Sequence, residues 1–80
     1  MHRVEFTIEP FREGDPGPHV TQAIAAAQDL GAEVEIGPFG SACTVPTDRS
    51  AELVAAVVRA AFGHGATHVN IDVDDGGDGR

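Results

Sequence analysis

Tryptophan and tyrosine are absent from this chain, and phenylalanine occurs only four times. A core therefore has to be built mainly from aliphatic side chains, many of them alanine. Folding of an 80-residue chain hides only about three-fifths of its surface. The net stability such a core supplies is on the order of 3–5 kcal/mol, so self-association is an expected supplement. The single cysteine, Cys43, excludes an intramolecular disulfide framework and fits a reducing compartment; a buried, inert thiol is its expected state. No apolar run approaches the ~20 residues of a membrane-spanning helix. Apolar alternation starts directly after Met1, so no secretory leader is expected and a cytoplasmic location is. Five basic residues against 13 acidic ones leave a formal charge of −8. That balance argues against nucleic acid and anionic membrane as partners, because phosphate binding needs Lys or Arg to displace counterions. It mildly favours a cationic small ligand, with an attraction screened beyond about 8 Å at physiological salt.

What is present divides cleanly into elements. Val4, Phe6 and Ile8 alternate with Arg3, Glu5, Thr7 and Glu9, the pattern of a half-buried strand. A turn-rich stretch follows, in which Asp15 or Gly17 is the expected helix N-cap and Pro16 or Pro18 the first helical residue. Val20, Ile24, Ala27 and Leu30 then recur at helical spacing, and Gly31 stands where a left-handed C′ residue belongs. Val34 and Ile36 alternate with Glu33 and Glu35 as a second strand, and Ser41 to Val45 reads as a weakly patterned third strand ended by Pro46. Asp48 or Thr47 is the expected cap of a second helix carrying Leu53, Val54, Val57, Val58, Ala61 and Phe62. A fourth strand places Val69, Ile71 and Val73 on one face and His68, Asn70 and Asp72 on the other. The spacing predicts one domain over residues 1–73. Residues 74–80, polar and glycine-rich, are expected to form a disordered tail.

The order β-α-β-β-α-β, with right-handed crossovers and short connections, predicts an α+β ferredoxin-like sandwich. Its antiparallel sheet would run 4-1-3-2 with two helices on one face. The other face would carry Arg3, Glu5, Thr7, Glu9, Glu33, Glu35, Thr44, His68, Asn70 and Asp72. One phrase occurs twice: Pro10-Phe11 after the first strand and Pro38-Phe39 after the second. Each proline stops a strand, and each is followed by an aromatic where a loop usually carries a polar residue. The predicted topology gathers both phrases at one end of the domain, together with His19 and His64, and so predicts a binding rim.

The runs Val4-Glu5-Phe6-Thr7-Ile8-Glu9-Pro10-Phe11, Gly17-Pro18-His19-Val20, Glu33-Val34-Glu35-Ile36-Gly37-Pro38-Phe39-Gly40 and Ala60-Ala61-Phe62-Gly63-His64-Gly65-Ala66-Thr67-His68-Val69 resemble the thiamine-binding (YkoF-like) family. The similarity extends from Arg3 to about Asp72. It implies a ferredoxin-like module that binds thiamine or its hydroxymethylpyrimidine part without catalysing a reaction, with no further cofactor, and that assembles as a homo-oligomer, a dimer or tetramer. One position departs from the family pattern. After the Pro-Phe-Gly turn the hydroxyl survives as Ser41, but the family's glutamate position holds Thr44. Glu9 or Glu35 is then the acid left for that part.

The residues support such a ligand on chemical grounds. A flat aminopyrimidine needs an aromatic or apolar slot, for which Phe11 and Phe39 are the candidates. Its amine and ring nitrogens need acceptors and donors, for which Glu9, Ser41 and Asn70 are the candidates, with His19 at the same end. A thiazolium gains about 0.5–2 kcal/mol over a phenylalanine face. Other chemistries fit less well. His64 and His68 have a helical metal-pair spacing, but glycines break the helix between them. Asp72-Val73-Asp74-Asp75-Gly76 lacks the closing glutamate of a calcium loop. Cys43 has core-facing parity, which is wrong for a nucleophile. No catalytic residue and no metal ligand is therefore expected. The alternative reading is a structural or regulatory oligomeric module with another small ligand or none. For either, pairing through the exposed edge of strand 2 is the expected oligomer contact.

Overall fold

The computed structural model describes residues 1–10, 15–37 and 40–75. In chain order the elements are β1 (His2–Glu9), α1 (Pro18–Asp29), β2 (Glu33–Ile36), β3 (Ser41–Val45), a 3-10 turn (Thr47–Arg49), α2 (Ser50–Gly63) and β4 (His68–Asp74). The four strands form one sheet in the order β2-β3-β1-β4, and every neighbouring pair is antiparallel. Read from the other edge this is 4-1-3-2, the ferredoxin-like βαββαβ sandwich that the pattern predicts. β4 continues through Asp74, the first residue of the expected tail, and residues 76–80 lie outside the described residues.

Strand parity decides which side chains meet the helices. Val4, Phe6 and Ile8 of β1 are buried together with Cys43 and Val45 of β3. Ala23, Ile24 and Ala27 of α1 and Leu53, Val57 and Ala61 of α2 close over them. Ala23 and Ala27 of α1 and Ala61 of α2 are small side chains on the buried helix faces, and the two helices pack closely against each other. The core narrows toward both sheet edges. Ile36 is 69% exposed, Val73 46% and Phe62 51%, so three residues expected in the apolar stripes stand largely in solvent. The reason is position: Ile36 ends one edge strand and Val73 is next to the last residue of the other, and Phe62 sits in the last turn of α2, one position off the buried Ser50-Leu53-Val57-Ala61 stripe.

Both helices end in the same device. Gly31 at φ +89° and Gly65 at φ +104° are the positive-φ glycines among the described residues. At the first, the Ala32 N–H donates to the Ala27 carbonyl at 3.2 Å and the Gly31 N–H to the Gln28 carbonyl at 2.9 Å. At the second, the Ala66 N–H donates to the Ala61 carbonyl at 3.0 Å and the Gly65 N–H to the Phe62 carbonyl at 3.4 Å. This is the Schellman arrangement, which satisfies the last helical carbonyls and turns the chain toward the next strand.

The helix starts differ. α1 begins as expected, with Gly17 as N-cap and Pro18 in the first helical position. At α2 the expected side-chain cap from Thr47 or Asp48 is absent: the 3-10 turn intervenes and Arg49 is the capping residue, with no side-chain cap bond. The strand–helix joint is tied instead through His2. The Ser50 hydroxyl donates to the Thr47 carbonyl at 3.1 Å, so its oxygen accepts from the His2 Nδ1–H at 2.8 Å. This joins the start of β1 to the start of α2.

Candidate functional site

The face of the sheet away from the helices carries the polar row expected of it. Glu5, Thr7, Glu9, Glu33, Glu35, Thr44, His68, Asn70 and Asp72 are all exposed, and Arg3 partly so. Register places Glu5 between Ala42 on β3 and Asp72 on β4, and Thr7 beside Asn70. Glu35 on β2 faces Ala42. Ala42, half-buried among longer side chains, is the low point of this surface.

At the loop end of that face lies an open depression of about 570 Å³, lined by Glu5, Thr7, Glu35, Ala42, Asn70 and Asp72, with Gly37 and Gly40 at its rim. Ile36, Phe6 and Ser41 also border it. Gly40 allows the β2–β3 turn to close down on β1. A Cβ at that position would lie 2.7 Å from Thr7 Cγ2 and 3.0 Å from the Phe6 carbonyl oxygen. The turn is held by the Gly37 N–H donating to the Gly40 carbonyl at 2.7 Å. Three carboxylates, a hydroxyl and an amide therefore surround a small apolar floor. Such groups can accept hydrogen bonds from an amine or a ring N–H, and the Glu5 carboxylate already accepts one from the Arg3 guanidinium at 2.9 Å.

The expected site residues fall into three groups. Asn70 and Ser41 border the depression. Ser41 is itself buried at the start of β3, opposite Phe6 on the core-facing parity. Glu9 and His19 lie at the same end but are engaged elsewhere. Glu9 ends β1 opposite His68, and its carbonyl accepts from the Thr67 N–H at 2.8 Å and from the Thr67 hydroxyl at 3.3 Å. His19 is buried, and its Nε2–H donates to the Pro10 carbonyl at 2.6 Å, pinning the start of α1 to the end of β1. His64, also expected at this end, donates from Nδ1–H to the Ala60 carbonyl at 2.8 Å and helps close α2. Phe11 and Phe39, the two rim aromatics, lie outside the described residues. In sequence, Phe39 stands between Gly37 and Gly40, both of which line the depression.

Glu35, expected as one of two stand-ins for the family's glutamate, lines the depression, and so do Glu5, Thr7 and Asp72, which belong to the expected polar face but not to the expected rim. Their signal was present in the alternation of each strand, since every one belongs to the polar parity. Thr44, at the position where the resemblance implies a glutamate, borders a second depression toward the opposite end of the face, with Arg3, Glu33 and Glu35. Of the two acids expected as stand-ins, Glu35 borders both depressions and Glu9 borders neither. Among the described residues no group of three or more His, Cys, Asp or Glu side chains is arranged to hold a metal ion. The Cys43 thiol is buried, and burial pushes its pKa above the ordinary 9.0 against a smaller opposing pull from Arg3.

Comparison with known proteins adds to the fold. No protein-family model matches the chain, and no curated protein matches it. Solved structures resemble it, two of them as follows. A domain of unknown function, DUF77, from Bacillus cereus superposes with a TM-score of 0.64 at 20% identity, covering 91% of this chain and 71% of that one. Protein SP2199 from Streptococcus pneumoniae superposes with a TM-score of 0.65 at 17% identity, covering 91% of this chain and 81% of that one. Together they show a small ferredoxin-like domain of the kind found in these proteins. No helix among the described residues is long and apolar enough to cross a membrane.

Proposed function

We propose that the loop end of the open sheet face binds thiamine or its hydroxymethylpyrimidine moiety, as a carrier, sensor or salvage-related binder and without catalysing a reaction. The observation that carries this reading is the depression lined by Glu5, Glu35 and Asp72 with Thr7 and Asn70. Its volume, about 570 Å³, falls in the range of small-molecule pockets. A flat aminopyrimidine fits a shallow floor of Ala42 flanked by long polar side chains. Its exocyclic amine donates to a carboxylate, and Thr7 and Asn70 supply groups for the ring nitrogens. The thiazolium charge is drawn toward the three carboxylates. The sequence resemblance points to the same ligand class, and Phe39 is the aromatic whose place in the chain suits a stacking role.

Isothermal titration of the full chain with thiamine and, separately, with hydroxymethylpyrimidine tests this. Saturable heat with at least one of them is expected. Glu35→Gln should weaken thiamine binding about tenfold, the loss of one charge-assisted hydrogen bond. Absence of heat with both ligands at millimolar concentration would overturn the reading. It would favour the second one, a structural or regulatory oligomeric module with another small ligand or none.

A further inference from the structure

We propose that His2 is a pH-sensitive clasp. With its imidazole protonated, it ties the end of β4, through Asp75, to the joint between β1 and α2. With the ring neutral, that tie is released while the joint stays closed. Two contacts carry the inference. On one side the His2 Nδ1–H donates to the Ser50 hydroxyl oxygen at 2.8 Å. On the other, His2 Nε2 lies 3.7 Å from a carboxylate oxygen of Asp75. The first residue of β1, the first residue of α2 and the residue just past β4 therefore meet on one imidazole.

The supply of hydrogens decides which form of the ring each contact accepts. Ser50 has one hydroxyl hydrogen, and it goes to the Thr47 carbonyl at 3.1 Å. Its oxygen is left as an acceptor toward His2, so Nδ1 carries a proton. A neutral imidazole has one N–H and one lone-pair nitrogen. With the proton on Nδ1, the neutral ring turns a lone pair toward the Asp75 carboxylate, and two acceptors face each other with no hydrogen between them. The imidazolium has an N–H on both nitrogens. The same geometry then holds the bond to Ser50 and adds an ion pair to Asp75. The Ser50 contact survives a change of protonation and the Asp75 contact does not. Histidine is the side chain type that gains and loses its charge between pH 5 and 8.

The neighbouring elements supply no second group of that kind at this end. β3 sets the apolar Val45 opposite His2. On β1 itself Arg3 comes next, paired with Glu5 at 2.9 Å and opposite Asp74 of β4. The 3-10 turn and the first turn of α2 bring Asp48, Arg49 and Glu52, and Arg49 pairs with Glu52 at 3.6 Å. Carboxylate and guanidinium groups ordinarily hold one charge over this range. His19 starts α1, His64 follows α2 and His68 starts β4, so all three belong to the loop end, away from the clasp. The His2 side chain is 24% exposed and that of Asp75 75%. The tie therefore adds little to global stability and acts locally, on the last residues of a strand that also supplies Asn70 and Asp72 to the depression.

Nuclear magnetic resonance on the full chain tests the clasp. Backbone ¹⁵N relaxation should show Asp75 more ordered at pH 5.5 than at pH 8 in low salt, with the difference reduced in 500 mM sodium chloride. The difference should be lost in Asp75→Asn, which removes the charge. It should also be lost in His2→Asn, whose amide replaces the Nδ1–H donor to Ser50 but has nothing in the place of Nε2. At pH 8 the ring nitrogens of His2 should report the proton on Nδ1, and Ser50→Ala should release that tautomer. Equal order of Asp75 at both pH values in the wild type, or a difference that survives in His2→Asn, would overturn the proposal. So would a neutral wild-type ring protonated on Nε2, because that tautomer donates to Asp75 without a charge.

Discussion

Single residues set the local chemistry here through burial more than through charge. His19 shows the effect: its place at the start of α1 suggests a ligand contact, yet the ring is buried and spends its Nε2–H on the Pro10 carbonyl, so it positions the loop end. Cys43 behaves as its parity predicts. Burial raises its thiol pKa above 9.0, so above that pH the unfolded chain ionises while the folded chain keeps its proton. The folded state then binds more protons than the unfolded one, and stability falls as pH rises. Urea denaturation at pH 8 and pH 10 should show a stability loss in the wild type that is smaller in Cys43→Ala, and native Cys43 should react with a thiol reagent far more slowly than the denatured chain.

At the scale of elements, the two helix endings are the most regular feature. Gly31 and Gly65 hold left-handed conformations with open space around an added Cβ, so alanine at either is penalised through the backbone alone. Each substitution should cost about 1–2 kcal/mol. The two sites follow different helices, and the double variant should lose close to the sum; denaturant midpoints with an unchanged m-value would check it. These endings were legible in the sequence because glycine after an apolar helical stripe has few other uses. The start of α2 was not. Thr47 and Asp48 are both good capping residues, but the hydroxyl that organises that joint is Ser50, through His2, 48 residues away, and no local pattern announces a partner that distant. Likewise, Ile36, Val73 and Phe62 carry the apolar signature of core positions, and their places near the ends of the edge strands and beside the buried stripe of α2 leave them exposed.

Over the whole molecule, charge is the dominant unbalanced term. The described ion pairs, His2–Asp75, Arg3–Glu5 and Arg49–Glu52, involve partly exposed side chains, and such pairs contribute little. Repulsion within a chain of net charge −8 should therefore outweigh them, and screening it should stabilise the fold. Thermal melts in 10 mM and 500 mM sodium chloride are expected to show a midpoint higher by a few degrees at high salt; a lower one would mean that the ion pairs outweigh the repulsion.

The sequence by itself determined the strand and helix order, the sheet order, the core parity of β1 and β3, the helix endings and the acidic, polar character of the open face. The sheet order follows from short, right-handed connections between the elements, and the rest from periodicity or from a residue with few conformational choices. Tertiary structure decided which polar residues share a surface. Glu5, Glu35, Asn70 and Asp72 come from three strands far apart in sequence, and hydrogen-bond register brings them around Ala42. It also separated Thr44 from that depression and withdrew Glu9 and His19 from it. The physical reason is that alternation reports only which face a side chain takes, while a site depends on pairing between strands, and pairing is settled by contacts that no single segment contains.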